Sequence, residues 1–182
     1  MPVAFYVILL LIIIAGILGI IYTNIYNNIQ NQIIRINEAE HIIDETLRKR
    51  FDLITSARKF IRAITKDDFK EFVELDEVKS NSISNFDFDR ITLKCLNLIY
   101  QINSDYFDNK KENQLLPIIL ELRETEEKLD AAKTYYNNHT KTLNKYIKKF
   151  PSLLVARIHN IRERNYFDNK NLNDDIEDDF KF

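Results

Sequence analysis

An uncharged apolar stretch at the start of the chain constrains its fold more than any other feature of the sequence. Residues 2–21 (PVAFYVILLLIIIAGILGII) carry no charged side chain, and the first charged side chain in the sequence is Arg35. At about 1.5 Å per residue, a helix of this length spans about 30 Å, which is the thickness of the hydrocarbon core of a bilayer. The stretch therefore predicts a single transmembrane helix.

A cleaved signal peptide is the alternative to a retained membrane helix. Signal peptides have a positively charged region before a short apolar core and a small-residue cleavage site after it. Here no Lys or Arg precedes the core, and the residues that follow it include the bulky Tyr22, Ile25 and Tyr26 without an A-x-A pattern. These features favour a helix that stays in the membrane.

Basic residues lie only on the C-terminal side of the apolar stretch, where the nearest are Arg35, Arg48, Lys49 and Arg50. Basic flanks stay on the cytoplasmic side of a membrane. We therefore predict a single-pass protein of the cell membrane, with its N-terminus outside and its C-terminal domain in the cytoplasm. The lone cysteine, Cys95, cannot form an intrachain disulfide, which agrees with a reducing compartment.

Apolar side chains continue to recur every three or four residues beyond the membrane stretch, the spacing of one helix face. From Tyr22 to Ile64 no Gly or Pro interrupts this pattern. We therefore predict one helix from Val3 to Ile64, in which the membrane segment continues into the cytoplasm. Its predicted buried face consists of Ile25, Ile29, Ile33, Ile36, Ala39, Ile43, Leu47, Phe51, Ile54, Ala57, Ile61 and Ile64.

Three further helices are predicted, over residues 68–79, 87–105 and 115–150. A polar linker, SNSISN, precedes the second of these, and Pro151 ends the third. The pattern of the third is the strongest in the chain, because its positions step by three and four throughout, as in a coiled coil. These positions are Leu115, Ile118, Leu122, Thr125, Leu129, Ala132, Tyr136, His139, Leu143, Tyr146 and Phe150.

The predicted fold is all-α, with a single N-terminal transmembrane helix continuous with an elongated antiparallel four-helix bundle. In this organisation residues 1–24 form the anchor, residues 25–167 form the bundle, and residues 168–182 form an acidic disordered tail.

Short motifs follow one another in a fixed order along both long helices. They are Tyr26-Asn27 with Arg35 and Ala39, Leu47–Ile54 (LRKRFDLI), Glu121-Leu122, Thr125-Glu126, Ala131-Ala132-Lys133, Tyr136-Asn137, Asn144, Phe150-Pro151 and Tyr166-Phe167. In identity and in spacing, the chain resembles the LemA family of small bacterial membrane proteins. It departs from the family pattern at Glu40, Thr55 and Asn160, where that pattern usually has tryptophan, proline and glycine.

The resemblance implies a one-pass membrane protein with a long antiparallel helical bundle, and it implies no established enzymatic activity. Proteins of this family are often encoded beside membrane metallopeptidases, which suggests a class of partner. The resemblance also singles out Asp44 and Glu126, which lie next to predicted buried positions. We expect these carboxylates to pair with Arg48 or Arg50 and so to hold the register of two helices.

Several classes of site are excluded or disfavoured by composition. Glycine occurs only at Gly16 and Gly19, so no P-loop, dinucleotide-binding turn, nucleophile elbow or usual EF-hand turn exists beyond the membrane stretch. The histidines, His41, His139 and His159, lack the spacing of zinc ligands. We therefore predict no catalytic residues, no cofactor and no metal. Near-equal numbers of basic (26) and acidic (28) residues disfavour nucleic acid as a partner.

A membrane-anchored, non-catalytic scaffold or interaction protein is the function that the sequence favours. Two alternatives stay open, namely an accessory or regulatory subunit of a membrane protease and a lipid-interacting, membrane-organising protein. The predicted partners are the lipid bilayer and a membrane protein such as a metallopeptidase. Self-association is a further possibility, because Ala15 and Gly19 form a small-xxx-small pair that lets two helix backbones approach closely.

The segment after Pro151 supports two interpretations. Apolar residues alternate there with Arg157, Arg162 and Arg164. An interfacial helix on an anionic leaflet has this composition. The same apolar residues would also cap the lower end of the bundle against Ile25 and Ile29. The sequence favours neither interpretation over the other.

Overall fold

The computed structural model describes residues 2–66, 68–79, 84–107 and 115–167. Within these residues the protein consists of helices without strands: α1 (Pro2–Thr65), α2 (Lys70–Lys79), α3 (Asn85–Phe107), α4 (Leu116–Ile147) and α5 (Ser152–Ile158). The all-α class is confirmed, and so is an unbroken first helix, whose ends differ from the predicted ones by one residue. Residues 168–182, predicted as a tail, lie outside the described residues, as does most of the predicted linker.

The helices belong to two compact units. Of the described residues, unit 1 contains 2–37 and 136–166, and unit 2 contains those of 38–135 together with Phe167. The predicted four-helix bundle and the predicted boundary after residue 24 stay predictions.

Unit 2 has an apolar core built from α1, α2, α3 and α4. The core consists of Ile54, Ala57, Ile61, Phe72, Leu75, Cys95, Leu96, Ile99, Ile102, Leu115, Ile119 and Leu122. The predicted face of α1 is buried here, except at Phe51, which is half-buried, and at Ile64, which is exposed in the last turn. On α2 the structure buries Phe72 and Leu75 and exposes Val73.

The ends of the helices in unit 2 follow from local chemistry. Lys66 has φ 56° and its N–H donates to the carbonyl oxygen of Arg62 at 3.1 Å, so it ends α1 in the left-handed conformation that glycine usually supplies. At the start of α3, Ser84 Oγ accepts a hydrogen bond from the N–H of Asp87 at 3.1 Å. Pro117 lies in the first turn of α4, where a missing N–H leaves no helical hydrogen bond unmade.

Cys95 is fully buried in this core. Its Sγ lies 3.2 Å from the carbonyl oxygen of Glu71, to which the thiol donates. Burial, reinforced by the charges of Glu71 and Glu74, raises the pKa of the Cys95 thiol to about 12. The side chain therefore links α3 to α2 as a protonated thiol.

Unit 1 has a separate core, in which residues 25–36 of α1 pack against the C-terminal end of α4 and against α5. It consists of Ile25, Ile29, Ile36, Leu143, Ile147, Val155 and Ala156. The predicted positions of this helix are buried at Leu115, Leu122, Thr125, Leu129, Ala132 and Leu143 and half-buried at Ile118, Tyr136, His139 and Tyr146. Phe150 was wrongly assigned to them, because it is 80% exposed. The reason is that α4 ends at Ile147, before the proline-restricted residue, and Ser152 Oγ lies 2.7 Å from the carbonyl oxygen of Tyr146.

Candidate functional site

The apolar stretch of α1 stands out because the protein does not bury it. Every described side chain from Val3 to Ile21 is exposed. The most apolar 18-residue window has a mean hydropathy of 3.1, and none of it is buried inside the protein. A core helix of a soluble domain would be mostly buried, so that interpretation is excluded. By length and composition, this helix can cross a membrane.

The end of α5 is fixed beside the point at which the exposed stretch stops. Tyr22 OH and His159 Nε2 are 2.6 Å apart, and the rings of Tyr26 and His159 lie 4.6 Å apart between centroids. One turn further along α1, Ile25 is buried in the core of unit 1. The boundary between exposed and packed α1 therefore coincides with the position of α5.

The direction of α4 in unit 1 follows from a second contact. His139 Nδ1 lies 2.7 Å from Gln32 Oε1, which makes this histidine a hydrogen-bonded side chain of the α1–α4 interface. Its pKa is lowered by burial and, to a smaller extent, by the positive charge of Arg35. Because α5 follows α4 in the chain and meets α1 nearer its N-terminus, α4 runs antiparallel to α1 within this unit.

The chain leaves α5 through a turn that requires an unusual backbone. Asn160 has φ 53°, and its N–H donates to the carbonyl oxygen of Arg157 at 3.2 Å. The N–H of Ile161 donates to the carbonyl oxygen of Ala156 at 2.9 Å. This pair of bonds is a Schellman motif, whose left-handed residue is usually glycine and sometimes asparagine. The departure from the family pattern at Asn160 thus preserves the turn.

Beyond this turn, residues 161–166 return along α1 and are held by side chains of both long helices. Asn144 Nδ2 donates to the carbonyl oxygen of Arg164 at 2.7 Å, and Asn144 Oδ1 accepts the N–H of Arg164 at 2.9 Å. The guanidinium of Arg164 also donates to Asn37 Oδ1 at 2.8 Å. The role of Asn144 was not apparent from its sequence motif, and the structure assigns it to fixing this segment.

A cluster of charges lies in the interior of unit 2. Arg50, which is 1% exposed, donates from a guanidinium nitrogen to Asp89 Oδ1 at 3.0 Å, and Asp89 is 7% exposed. Lys133 Nζ donates to the other oxygen of the same carboxylate. Burial lowers the pKa of the Arg50 guanidinium, whereas the carboxylates of Asp89, Glu126 and Asp130 oppose that shift. Asp89 therefore joins α1, α3 and α4 through two cations.

This arrangement corrects the expected pairing of Arg50. Its hydrogen-bonded partner is Asp89 rather than Asp44 or Glu126. Asp44 pairs with Arg48 at 3.1 Å, which was one of the expected pairings, but both residues lie on α1, so the pair does not hold the register of two helices. Glu126 accepts a hydrogen bond from Tyr100 OH at 3.4 Å. A signal for Asp89 was present, since it lies three residues before Thr92 and six before Cys95 on the buried face of α3.

A second ion pair, also missed in the sequence, holds the start of the α2 region to α1. Arg58 donates from Nε and from a terminal nitrogen to the two oxygens of Asp68, at 3.0 and 2.8 Å, and its other terminal nitrogen lies 2.6 Å from Asp76. The hydrogen bonds with Asp68 raise the pKa of Arg58. Its partners and geometry make this group a clamp between helices.

The chemistry available at the surface of unit 2 is limited. A shallow depression is lined by Glu45, Thr46, Lys49, Glu124, Thr125 and Lys128. The hydroxyls of Thr46 and Thr125 donate to the carbonyl oxygens of Ile42 and Leu122, at 2.6 and 2.7 Å. Across the part of the chain that the structure describes, no three His, Cys, Asp or Glu side chains are grouped to hold a metal ion.

Comparison with known proteins places most of the chain in one group. A model of the LemA family matches residues 39–180. The matched segment contains the motifs quoted from Leu47 onward, whereas Tyr26, Asn27 and Arg35 precede it. No curated protein matches the chain.

Proposed function

The chain belongs to the LemA family, and from this premise we propose that it is a membrane-anchored, non-catalytic scaffold or interaction protein. The observation that carries the proposal is the complete exposure of the apolar stretch between Val3 and Ile21. Exposing so much apolar surface to water is strongly unfavourable, at about 25 cal/mol for each Å². A bilayer removes that cost, because its hydrocarbon core matches the stretch in length.

A retained anchor is favoured over a cleaved signal by the way α1 continues. The helix runs without interruption from the apolar stretch into the core of unit 1, where Ile25 and Ile29 are buried. The proposed orientation has the N-terminus outside and the remaining helices in the cytoplasm, because Arg35 and the later basic residues all follow the span.

Both parts of this proposal have a direct test. In a bacterial host, the full chain is expected to remain in the membrane pellet after a carbonate wash, because a spanning helix is not extracted by high pH. A fluorescent protein fused after Phe182 is expected to fluoresce, and alkaline phosphatase fused there is expected to be inactive. Extraction by carbonate would contradict the anchor, and an active phosphatase would contradict the orientation.

A non-catalytic role is supported by how the charged side chains of unit 2 are used. Arg50 and Lys133 both bond to Asp89, and Arg58 bonds to Asp68 and Asp76. Purification of the full chain in mild detergent distinguishes the proposed scaffold from a protease subunit. A stoichiometric peptidase in the purified complex would favour the accessory-subunit alternative, and assemblies without one would favour the scaffold.

Self-association through the span is a prediction of the sequence that the geometry makes easy to test. A Cβ added at Gly19 meets nothing within 4 Å, so a larger side chain there does not disturb the protomer. If Ala15 and Gly19 mediate a dimer, Gly19→Leu is expected to reduce the crosslinked dimer in membranes, since leucine keeps the backbones apart. An unchanged dimer population would show that the pair has no such role.

A further inference from the structure

Helix α5 is apolar on two opposite sides. Its inner side buries Ser152, Val155 and Ala156 in the core of unit 1. Its outer side carries Leu154 and Ile158, which are 50% and 66% exposed, and Phe150 projects from the preceding turn. Packing within unit 1 accounts for the inner residues only. Three large apolar side chains, spaced four residues apart in the chain, therefore stay exposed.

The position of α5 relative to the span is set by contacts within the same unit. Tyr22, the first residue after the apolar stretch, is hydrogen-bonded to His159, directly after α5. From His139, which contacts Gln32, eight residues of α4 remain and cover about 12 Å. Because α4 runs antiparallel to α1, this distance places Ile147 beside about residue 24 of α1. The turn that follows α4 therefore adjoins the end of the span, and so does α5.

The thickness of a bilayer determines the depth at which α5 lies. The polar headgroup region adds roughly 5–8 Å on each side of the hydrocarbon core, which corresponds to about four residues of helix. If Ile21 ends the hydrocarbon region, Tyr22 to Ile25 pass through the headgroups. The hydrogen bond to Tyr22 then places the end of α5 at the same depth.

The charges around α5 have the sign that this environment favours. Lys149, Arg157 and Arg162 are exposed. The single acidic neighbour among residues 145–163, Glu163, is paired with Lys148 at 2.9 Å and so cancels one positive charge only. Exposed basic side chains interleaved with apolar ones are typical of segments that lie on an anionic leaflet.

We propose that the outer side of α5, with Phe150, Leu154 and Ile158, inserts into the interfacial region of the bilayer, and that Arg157 and Arg162 contact anionic lipid headgroups. The proposal rests on the membrane anchor proposed above. It names lipid as the occupant because the hydrogen bond between Tyr22 and His159 fixes α5 beside the end of the span, and because the exposed basic side chains complement anionic headgroups. Unit 1 then contacts the membrane at two points, the span and α5.

The absence of tryptophan from the chain allows a direct measurement of depth. The full chain is reconstituted in vesicles that contain lipids brominated on their acyl chains, which quench tryptophan fluorescence on contact. Three single-tryptophan variants are compared. Leu154→Trp probes the outer side of α5, Ile20→Trp probes the span, and Ile34→Trp probes an exposed position of α1 about 20 Å beyond Ile21.

We expect strong quenching at Ile20→Trp and negligible quenching at Ile34→Trp. We expect quenching at Leu154→Trp about half as strong as at Ile20→Trp, because interfacial side chains insert only about 5–10 Å. If Leu154→Trp matches Ile34→Trp while Ile20→Trp is quenched, the α5 contact is overturned and the anchor stands. If Ile20→Trp is not quenched, the anchor itself has failed. Protection of Leu154→Trp from aqueous acrylamide without quenching by lipid would identify a covering protein instead, and would also overturn the proposal.

The contribution of the arginines is measured with the same probe. At equal mole fractions, brominated phosphatidylglycerol is expected to quench Leu154→Trp severalfold more than brominated phosphatidylcholine, because each basic residue enriches anionic lipid by up to about fivefold. Adding Arg157→Gln and Arg162→Gln should bring the ratio of quenching by the two lipids close to one. Arg35 is an exposed arginine further along α1, and Arg35→Gln should leave that ratio unchanged. Equal quenching by the two lipids in the parent variant would overturn the arginine contact.

Discussion

Replacing Asp89 by alanine is expected to lower the free energy of unfolding by about 3–5 kcal/mol, because it leaves a buried cation without its counter-ion. Arg50 is 1% exposed, so its guanidinium cannot turn to water when the carboxylate is removed. Lys133 is also released from its hydrogen bond. Chemical denaturation of the full chain in detergent, followed by helical circular dichroism, measures the loss.

The chain supplies a matched control for this experiment. Asp44 and Arg48 form an ion pair of nearly the same N–O distance, 3.1 Å, but on the surface of α1. Asp44→Ala is expected to cost about 0.3–0.5 kcal/mol, the usual contribution of an exposed pair four residues apart. The double variant Arg50→Met, Asp89→Leu removes both buried charges and is expected to recover most of the lost stability. Equal losses for Asp89→Ala and Asp44→Ala would show that burial of the cluster is energetically irrelevant.

Truncating either of two buried leucines on α4 is expected to lower the free energy of unfolding by about 2–5 kcal/mol, through lost transfer free energy and the cavity that remains. Leu129 lies in unit 2 and Leu143 in unit 1, and neither has any exposed surface. Leu129→Ala and Leu143→Ala therefore report on the packing of each unit separately. The shift of the thermal or denaturant midpoint gives the size of the loss.

Leu120→Ala is the control for the two truncations. It removes the same atoms from the same helix, but Leu120 is 52% exposed, so we expect a loss below about 1 kcal/mol. If all three variants lose the same free energy of unfolding, the α4 face assigned as buried is solvated. If only one of the buried sites is sensitive, one unit is packed less tightly than its burial indicates.

The helices and most of their buried faces were predictable, because apolar residues repeat at the helical period over long uninterrupted stretches. Ile29, Ile43 and Leu129 illustrate this, since spacing alone identified them and all three are buried. What such a pattern does not contain is the partner of a polar residue. Arg50 lies three residues after Leu47 and four before Ile54, on the buried face, but the partners expected for it, Asp44 and Glu126, were the wrong carboxylates.

The partner of Arg50 lies 39 residues away on another helix, and no local rule connects the two positions. Asp89 extends the buried face of α3, so its position was readable from the sequence although its pairing was not. The cost of burying an unpaired charge implies that some partner exists, but only the arrangement of α1, α3 and α4 determines which one. The exposure of Phe150 has a similar origin, because a spacing of three and four residues cannot show where a helix stops.

The two interpretations of the segment after Pro151 concern different sides of one helix, and the lipid interpretation stays a prediction. Val155 and Ala156 pack against the core that contains Ile25 and Ile29, as the capping interpretation predicted. Leu154 and Ile158 do not, and they are the residues that the lipid interpretation needs. Periodicity over seven residues was too short to separate two apolar sides.

Cys95 has a consequence for how the intact protein can be followed in solution. With a thiol pKa of about 12, only about one molecule in 10⁵ carries the reactive thiolate at pH 7, and the sulfur is buried as well. Alkylating reagents and oxidants should therefore leave the native chain unmodified and react once the core of unit 2 opens. The native sequence thus contains its own unfolding reporter, because the rate at which Cys95 is alkylated follows the opening of that core.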